Sequence, residues 1–156
     1  LWWNYNTEKL ISLEIEMYIQ LEVNKEVFDG FAFYSVFLLL KTLLMSPIVA
    51  FANPEDLAAG PTAKISMVDQ DVERYRRCHL NDIENILPFV LIGTFYVLSN
   101  PSVSLALWHF RCFALFRIMH TMIYLAGVPQ PARAYSYRAA ALICFSMGFQ
   151  TLYAFS

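Results

Sequence analysis

Four side chains in the stretch 72–89, VERYRRCHLNDIENILPF, recur three or four positions apart: Arg74, Arg77, Asn81 and Glu84. At about 100° per residue they form one narrow stripe on a helix. Farther along, Arg117, His120 and Tyr124 stand at i, i+3 and i+7, and Arg133 and Tyr137 at i, i+4. Guanidiniums grip carboxylates, and a carboxylate grips an amine. These groups together suit a small ligand carrying both carboxylates and an amino group. The plainer alternative is structural. Glu73 and Arg77 form an ordinary i, i+4 pair, and arginines at helix ends often only reach toward lipid headgroups. Arg117 resists that explanation because it sits well inside an apolar block, where a charge usually faces a bundle interior or a polar cavity. His109 lies over two turns from Arg117 toward the other end, so packing or an interhelical hydrogen bond is expected. Lys41 is expected to pair with a carboxylate between helices. Arg111 lies off the Arg117 face and receives no role.

The elements that hold these residues are read from composition. The chain has 156 residues, the length of one domain, and is 58% hydrophobic with 15% charged residues. Soluble domains carry about 25% charged residues. The apolar excess falls in four blocks, at 31–51, 83–98, 103–127 and 139–155. A spanning helix needs about 20 apolar residues, which the first and third blocks supply alone and the other two with their polar leading turns. The expectation is an all-α, four-helix membrane bundle. Ser99-Asn100-Pro101-Ser102 and Val128-Pro129-Gln130-Pro131 read as tight turns, and 52–71 as the one long internal loop. The basic residues Lys64, Arg74, Arg76, Arg77 and Arg133 share one side, which the positive-inside bias places in the cytosol. All three polar stripes lie toward that end.

Other classes lose support. A net charge of −2 gives no electrostatic basis for nucleic-acid binding. Cys78, Cys112 and Cys144 are far apart without metal-ligand spacing, so packed thiols and no metal site are expected. Residues 1–25 read as an N-terminal extension ahead of a domain at 26–156. They lack the pattern of a signal peptide. Met17 is the expected start of translation, with an ordinary interfacial helix as the alternative.

The motifs carry a resemblance. FANPED at 51–56, VERYRRCHLNDIENILPF at 72–89, LWHFRCFALFRIMHTMIYLAG at 107–127 and PQPARAYSY at 129–137 resemble the MAPEG family of membrane glutathione enzymes. EVFDGFAFYSVFLLLKTLLMS at 26–46 resembles that family's first helix, Lys41 included. The likeness is strongest to the transferase branch, with the prostaglandin E synthase branch next to it. It implies a homotrimer in the endoplasmic reticulum membrane, and in the mitochondrial outer membrane, with glutathione as co-substrate between subunits near the cytosol. Lipophilic electrophiles are the implied second substrates, and lipid hydroperoxide reduction an implied side activity. By motif, Arg74, Arg77, His79, Asn81, Glu84, Arg117, His120, Tyr124, Arg133 and Tyr137 are the implied glutathione contacts. Arg133 and Asp56 are the implied catalytic residues, Arg133 by favouring the thiolate.

Four departures stand against the family pattern. Ser46-Pro47-Ile48-Val49-Ala50 runs straight into Phe51, where the family carries several more residues, basic ones among them. Leu57 replaces the transferase branch's reactive cysteine. Leu80 and Ala134 replace an arginine and a serine of the isomerase branch. The leading expectation is a glutathione transferase. The alternatives are a prostaglandin-type isomerase and a non-catalytic membrane protein disabled by the shortened loop.

Overall fold

The computed structural model describes residues 23–52 and 70–156. Four helices and no strand occur among them: α1 Lys25–Ala52, α2 Gln70–Leu98, α3 Val103–Leu125 and α4 Ala132–Phe155. α1, α2 and α4 each contain one of the apolar blocks, and α3 covers the third up to Leu125, two residues short of its end. α2 begins thirteen positions before its block, at the charged stretch, with Asp71 and Glu73 in its first turn. Acids there complement the positive end of the helix dipole. α1 opens on Asn24, whose Oδ1 accepts the backbone N–H groups of Glu26 at 2.9 Å and Val27 at 3.3 Å. That cap satisfies two donors that the first helical turn leaves unmet. α3 ends at the expected turn. Gly127 takes φ +66° there, a conformation that a side chain disfavours.

α1 packs on α2 and α3, and α4 also packs on α2 and α3, while α1 and α4 do not meet. The core is aromatic. Phe89 and Phe113 stack with centroids 4.0 Å apart, and Phe31 and Phe110 close around Phe89 at 6.0 and 6.2 Å. Such ring pairs contribute about 0.5–1.5 kcal/mol each beyond area burial. Gly93 lets α1 approach, since a Cβ there would lie 2.3 Å from the Phe31 ring. The outer surface is apolar too, with Leu43, Leu142, Phe149 and Tyr153 all exposed. By length and composition, α1 is the one helix among the described residues apolar enough to cross a membrane, over Lys25–Phe51. Polar side chains spread along the other three dilute their hydropathy.

At the end where α2 finishes and α3 begins, a polar cluster joins α2, α3 and α4. The Nδ1 of His109 lies 2.8 Å from the carbonyl of Leu105, and its Nε2 lies 2.9 Å from Ser146 Oγ. A carbonyl only accepts, so Nδ1 carries the proton and Nε2 accepts from the Ser146 hydroxyl. Tyr96 Oη donates to Gln150 Oε1 at 3.3 Å, and Gln150 Nε2 donates back to Ser146 Oγ at 3.1 Å. The interhelical role expected of His109 is therefore what the bundle gives it.

Candidate functional site

The opposite end of the bundle holds the charged start of α2, the end of α3 and the start of α4. Here the inner face of α2 runs through Cys78, Asp82, Ile86, Phe89 and Gly93, all buried. The stripe Arg74, Arg77, Asn81 and Glu84 lies one position to the side of that face. Its members stand on the flank of the bundle: Arg74 and Asn81 half-buried, Arg77 and Glu84 exposed. A cleft of about 320 Å³ opens on this flank, lined by Gln70, Glu73, Arg74, Arg77, Tyr124 and Arg133. Four of the residues singled out from the sequence thus meet around one opening, supplied by three helices.

The lining residues are held by their neighbours. Arg74 Nη1 pairs with Asp71 at 2.8 Å and passes over Gly127, where a Cβ would come within 3.4 Å of it. Arg77 Nε donates to Glu73 Oε1 at 2.8 Å. That bond draws the Glu73 carboxyl below its ordinary range and pushes the Arg77 guanidinium further up. Any steadying from Glu73 is thus present above the ordinary carboxylate range and fades as pH falls through its lowered value. Arg133 lies over the Tyr124 ring, 4.8 Å from its centroid, and the His120 ring is 5.0 Å from the same ring. His120 Nδ1 lies 3.2 Å from the carbonyl of Arg133 and 3.0 Å from Ser136 Oγ. The carbonyl again identifies the protonated nitrogen, leaving Nε2 as an acceptor, buried and without a partner.

Beneath the cleft lies a cluster that spacing along the chain does not assemble. Arg117 and Asp82 are completely buried and paired, Nη2 to Oδ1, at 2.5 Å. Lys41 of α1 reaches the other carboxylate oxygen at 2.6 Å, and Thr121 Oγ1 donates to it at 3.3 Å. Asp82 is the interhelical carboxylate that Lys41 was expected to find. The signal was available: Lys41 and Arg117, cations inside apolar blocks, demand an anion, and Asp82 and Glu84 are the acids at the start of α2's apolar block. Arg117 Nη2 also donates to Asn81 Oδ1 at 3.0 Å, bringing two predicted residues together.

Other predicted residues fall outside the cleft lining. Glu84 and Tyr137 are exposed on the outer surface of the chain. His79 is half-buried, off the stripe, with its Nδ1 unpartnered. Asp56 and Leu57 lie outside the described residues. No group of three or more histidine, cysteine or acidic residues able to hold a metal ion occurs among the described residues.

The unsatisfied polar atoms concentrate at this end. Arg74 Nε, Arg117 Nε and Nη1, Arg133 Nε, His79 Nδ1 and His120 Nε2 are buried without hydrogen-bond partners among the described residues. A buried donor left unmet costs about 1–3 kcal/mol, so such a concentration calls for partners beyond the described residues. Four of the six are guanidinium nitrogens, whose natural partners are anionic oxygens or a thiolate.

Known proteins carry the same sequence pattern. The MAPEG family model matches residues 31–153. Microsomal glutathione S-transferase 1 of Homo sapiens is 45% identical over 142 residues, covering 83% of this chain and 92% of its own length. The protein of the same name from Rattus norvegicus is 42% identical over the same shares. Prostaglandin E synthase of Equus caballus is 35% identical over 139 residues, covering 84% of this chain and 91% of its own length. The 142 aligned positions outnumber the residues of this chain that they cover, so the human protein carries residues that this chain lacks.

Proposed function

This chain belongs to the MAPEG family, and from that membership we propose a membrane-bound glutathione transferase that binds glutathione at the Arg74–Arg77–Tyr124–Arg133 cleft. The observation that carries the site is the meeting of Arg74, Arg77 and Arg133 around one opening, with the Nε atoms of Arg74 and Arg133 buried and without partners among the described residues. Arg74 and Arg77 take the ligand's carboxylates, Asn81 and Arg117 hold polar groups deeper in, and Tyr124 and His120 frame the sulfur. Arg133 holds that sulfur as thiolate, because a guanidinium nearby favours the charged form of a thiol whose free pKa is about 8.5. Asp56 is the second catalytic group of the proposal.

With a halogenated aromatic substrate, the thiolate forms a carbon–sulfur bond and halide leaves. The thiol's proton passes to water beforehand. Lipophilic electrophiles arrive from the bilayer, which the apolar outer surface suits. The proposal includes four membrane crossings, the cleft facing the cytosol, residence in the endoplasmic reticulum and mitochondrial outer membranes, and reduction of lipid hydroperoxides. It also includes a homotrimer. Glu84 and Tyr137 stand exposed on a single chain, which fits a ligand held between neighbouring copies, with Glu84 toward its amino group.

A glutathione-dependent isomerase is the second reading, favoured by the likeness to prostaglandin E synthase. Leu80 and Ala134 weigh against it. The detergent-purified protein is incubated with glutathione and, separately, with a chlorinated aromatic and an endoperoxide. Conjugate in the first and little isomerised product in the second is the expected result. Isomerisation without conjugation would replace the proposal. No calorimetric heat with millimolar glutathione would leave a non-catalytic membrane protein.

A further inference from the structure

The buried chain Lys41–Asp82–Arg117–Asn81 has a direction. Asp82 is an acceptor at both oxygens, taking Lys41 and Thr121 on one and Arg117 on the other. Arg117 carries only donors. Its Nη2 spends one hydrogen on Asp82 at 2.5 Å and the other on Asn81 Oδ1 at 3.0 Å. Because the guanidinium cannot accept, Asn81 must turn its carbonyl oxygen inward. Its NH₂ group is then presented as a pair of donors on the far side. Asn85, one turn on, bonds the Asn81 backbone carbonyl at 2.7 Å and does not compete for that amide.

We infer that Asp82 is a positioning residue of the glutathione site: it locks Arg117, and through Arg117 orients the Asn81 amide so that its NH₂ group meets an acceptor on the bound peptide. This rests on the glutathione reading given above and deepens it. It identifies the group opposite Asn81 as a carbonyl or carboxylate oxygen and excludes the ligand's amine. It also gives the Lys41 charge a purpose. A carboxylate held by cations from two helices is fixed in place, and the plane of Arg117 with it.

Substitution of Asp82 alone strands two buried cations, which destabilises a fold. The test therefore uses Lys41→Met/Asp82→Asn, which removes one cation together with the anion. A second variant, Arg117→Lys, keeps an ion pair with Asp82 but lacks the planar fork that spans Asp82 and Asn81. Thermal midpoints, kcat, and KM for glutathione and for a chlorinated aromatic are measured in parallel. The expected result is a folded Lys41→Met/Asp82→Asn variant with glutathione KM raised about tenfold, while its KM for the aromatic and its kcat at saturating glutathione stay within about twofold; Arg117→Lys should raise the glutathione KM as well. Adding Asn81→Ala to the Lys41→Met/Asp82→Asn variant should raise the glutathione KM no further, because the effect of Asp82 passes through that amide. Wild-type conjugation with an unchanged glutathione KM in a folded variant overturns the inference alone. Loss of fold in both variants also overturns it, in favour of a network that serves only the bundle. Absence of any conjugation by the wild-type chain overturns the transferase reading and this inference together.

Discussion

At one end of the bundle, Tyr96, His109, Ser146 and Gln150 exchange hydrogen bonds among α2, α3 and α4 and leave no buried side-chain atom unmet. At the other, Arg74, Arg117, His120 and Arg133, in and beside the cleft, carry buried nitrogens that no described residue satisfies. The first lies wholly inside apolar blocks and the second draws Arg117 and His120 from one, and both bring α2, α3 and α4 together. They differ in stoichiometry. The first balances donors with acceptors, as a group that only ties helices together should. The second has a surplus of donors and positive charge, which fits a place where an anionic ligand completes the set. The presence of a buried histidine or arginine therefore says little. The partners it still lacks say more.

The sharpest test of this contrast is Arg133→Ala. Losing 1–2 pKa units of thiolate stabilisation corresponds to roughly 1.4–2.7 kcal/mol. The thiolate fraction near pH 7 should then fall about tenfold or more, and turnover with it, while glutathione affinity changes less. Ultraviolet thiolate absorbance followed against pH in both proteins checks this. An unchanged titration would move the role to Arg117 or Tyr124.

The balanced cluster should respond in the opposite sense. Ser146→Ala leaves His109 Nε2 buried without its donor, at a cost of about 1–2 kcal/mol in stability. Glutathione KM should remain at the wild-type value. Thermal unfolding and kinetics on the same preparation separate the two effects, and a shifted KM with unchanged stability would erase the distinction between the ends.

A smaller effect is expected at the rim. Arg77 is exposed and already paired with Glu73. Arg77→Ala should weaken glutathione binding by about two- to threefold at low salt, and the difference should vanish near 1 M salt as screening shortens its reach. A salt-independent loss would place Arg77 deeper in the site than the cleft geometry does.

Smallest of all is the response to a maleimide. The stretch 52–71 holds no cysteine, Leu57 standing where the resemblance expects one, and Cys78 is fully buried. Conjugation should not rise on labelling, and a several-fold increase would contradict this.

Much of the architecture was readable from residues. The apolar blocks and the turns at 99–102 and 128–131 locate the helices, because those stretches alternate long uncharged runs with Pro, Asn and Ser. Arg74, Arg77, Tyr124 and Arg133 were legible as one group, since helical spacing and a common end bring them to the same level. Asp82 was not. Adjacent residues on a helix differ by about 100°, so Asn81 and Asp82 face different neighbours, and only the rotation of α2 in the bundle decides which side is interior. The stripe through Arg77 and Glu84 proved to be the flank, and the row through Cys78, Asp82 and Ile86 the interior.

The sequence by itself determined the four helices of the described residues, the end of the bundle that carries charge, and the family. These depend on composition and spacing along one chain, which local geometry converts directly into faces and levels. The tertiary structure alone decided which cation meets which anion. Lys41, Asp82 and Arg117 come from three helices separated by long stretches of chain, and their ion pairs depend on how far each helix slides and turns against the others. That registry is set by close packing, by Gly93 admitting Phe31 and Phe89 stacking on Phe113. Packing of this kind is a property of shapes in contact, and no spacing within one helix encodes it.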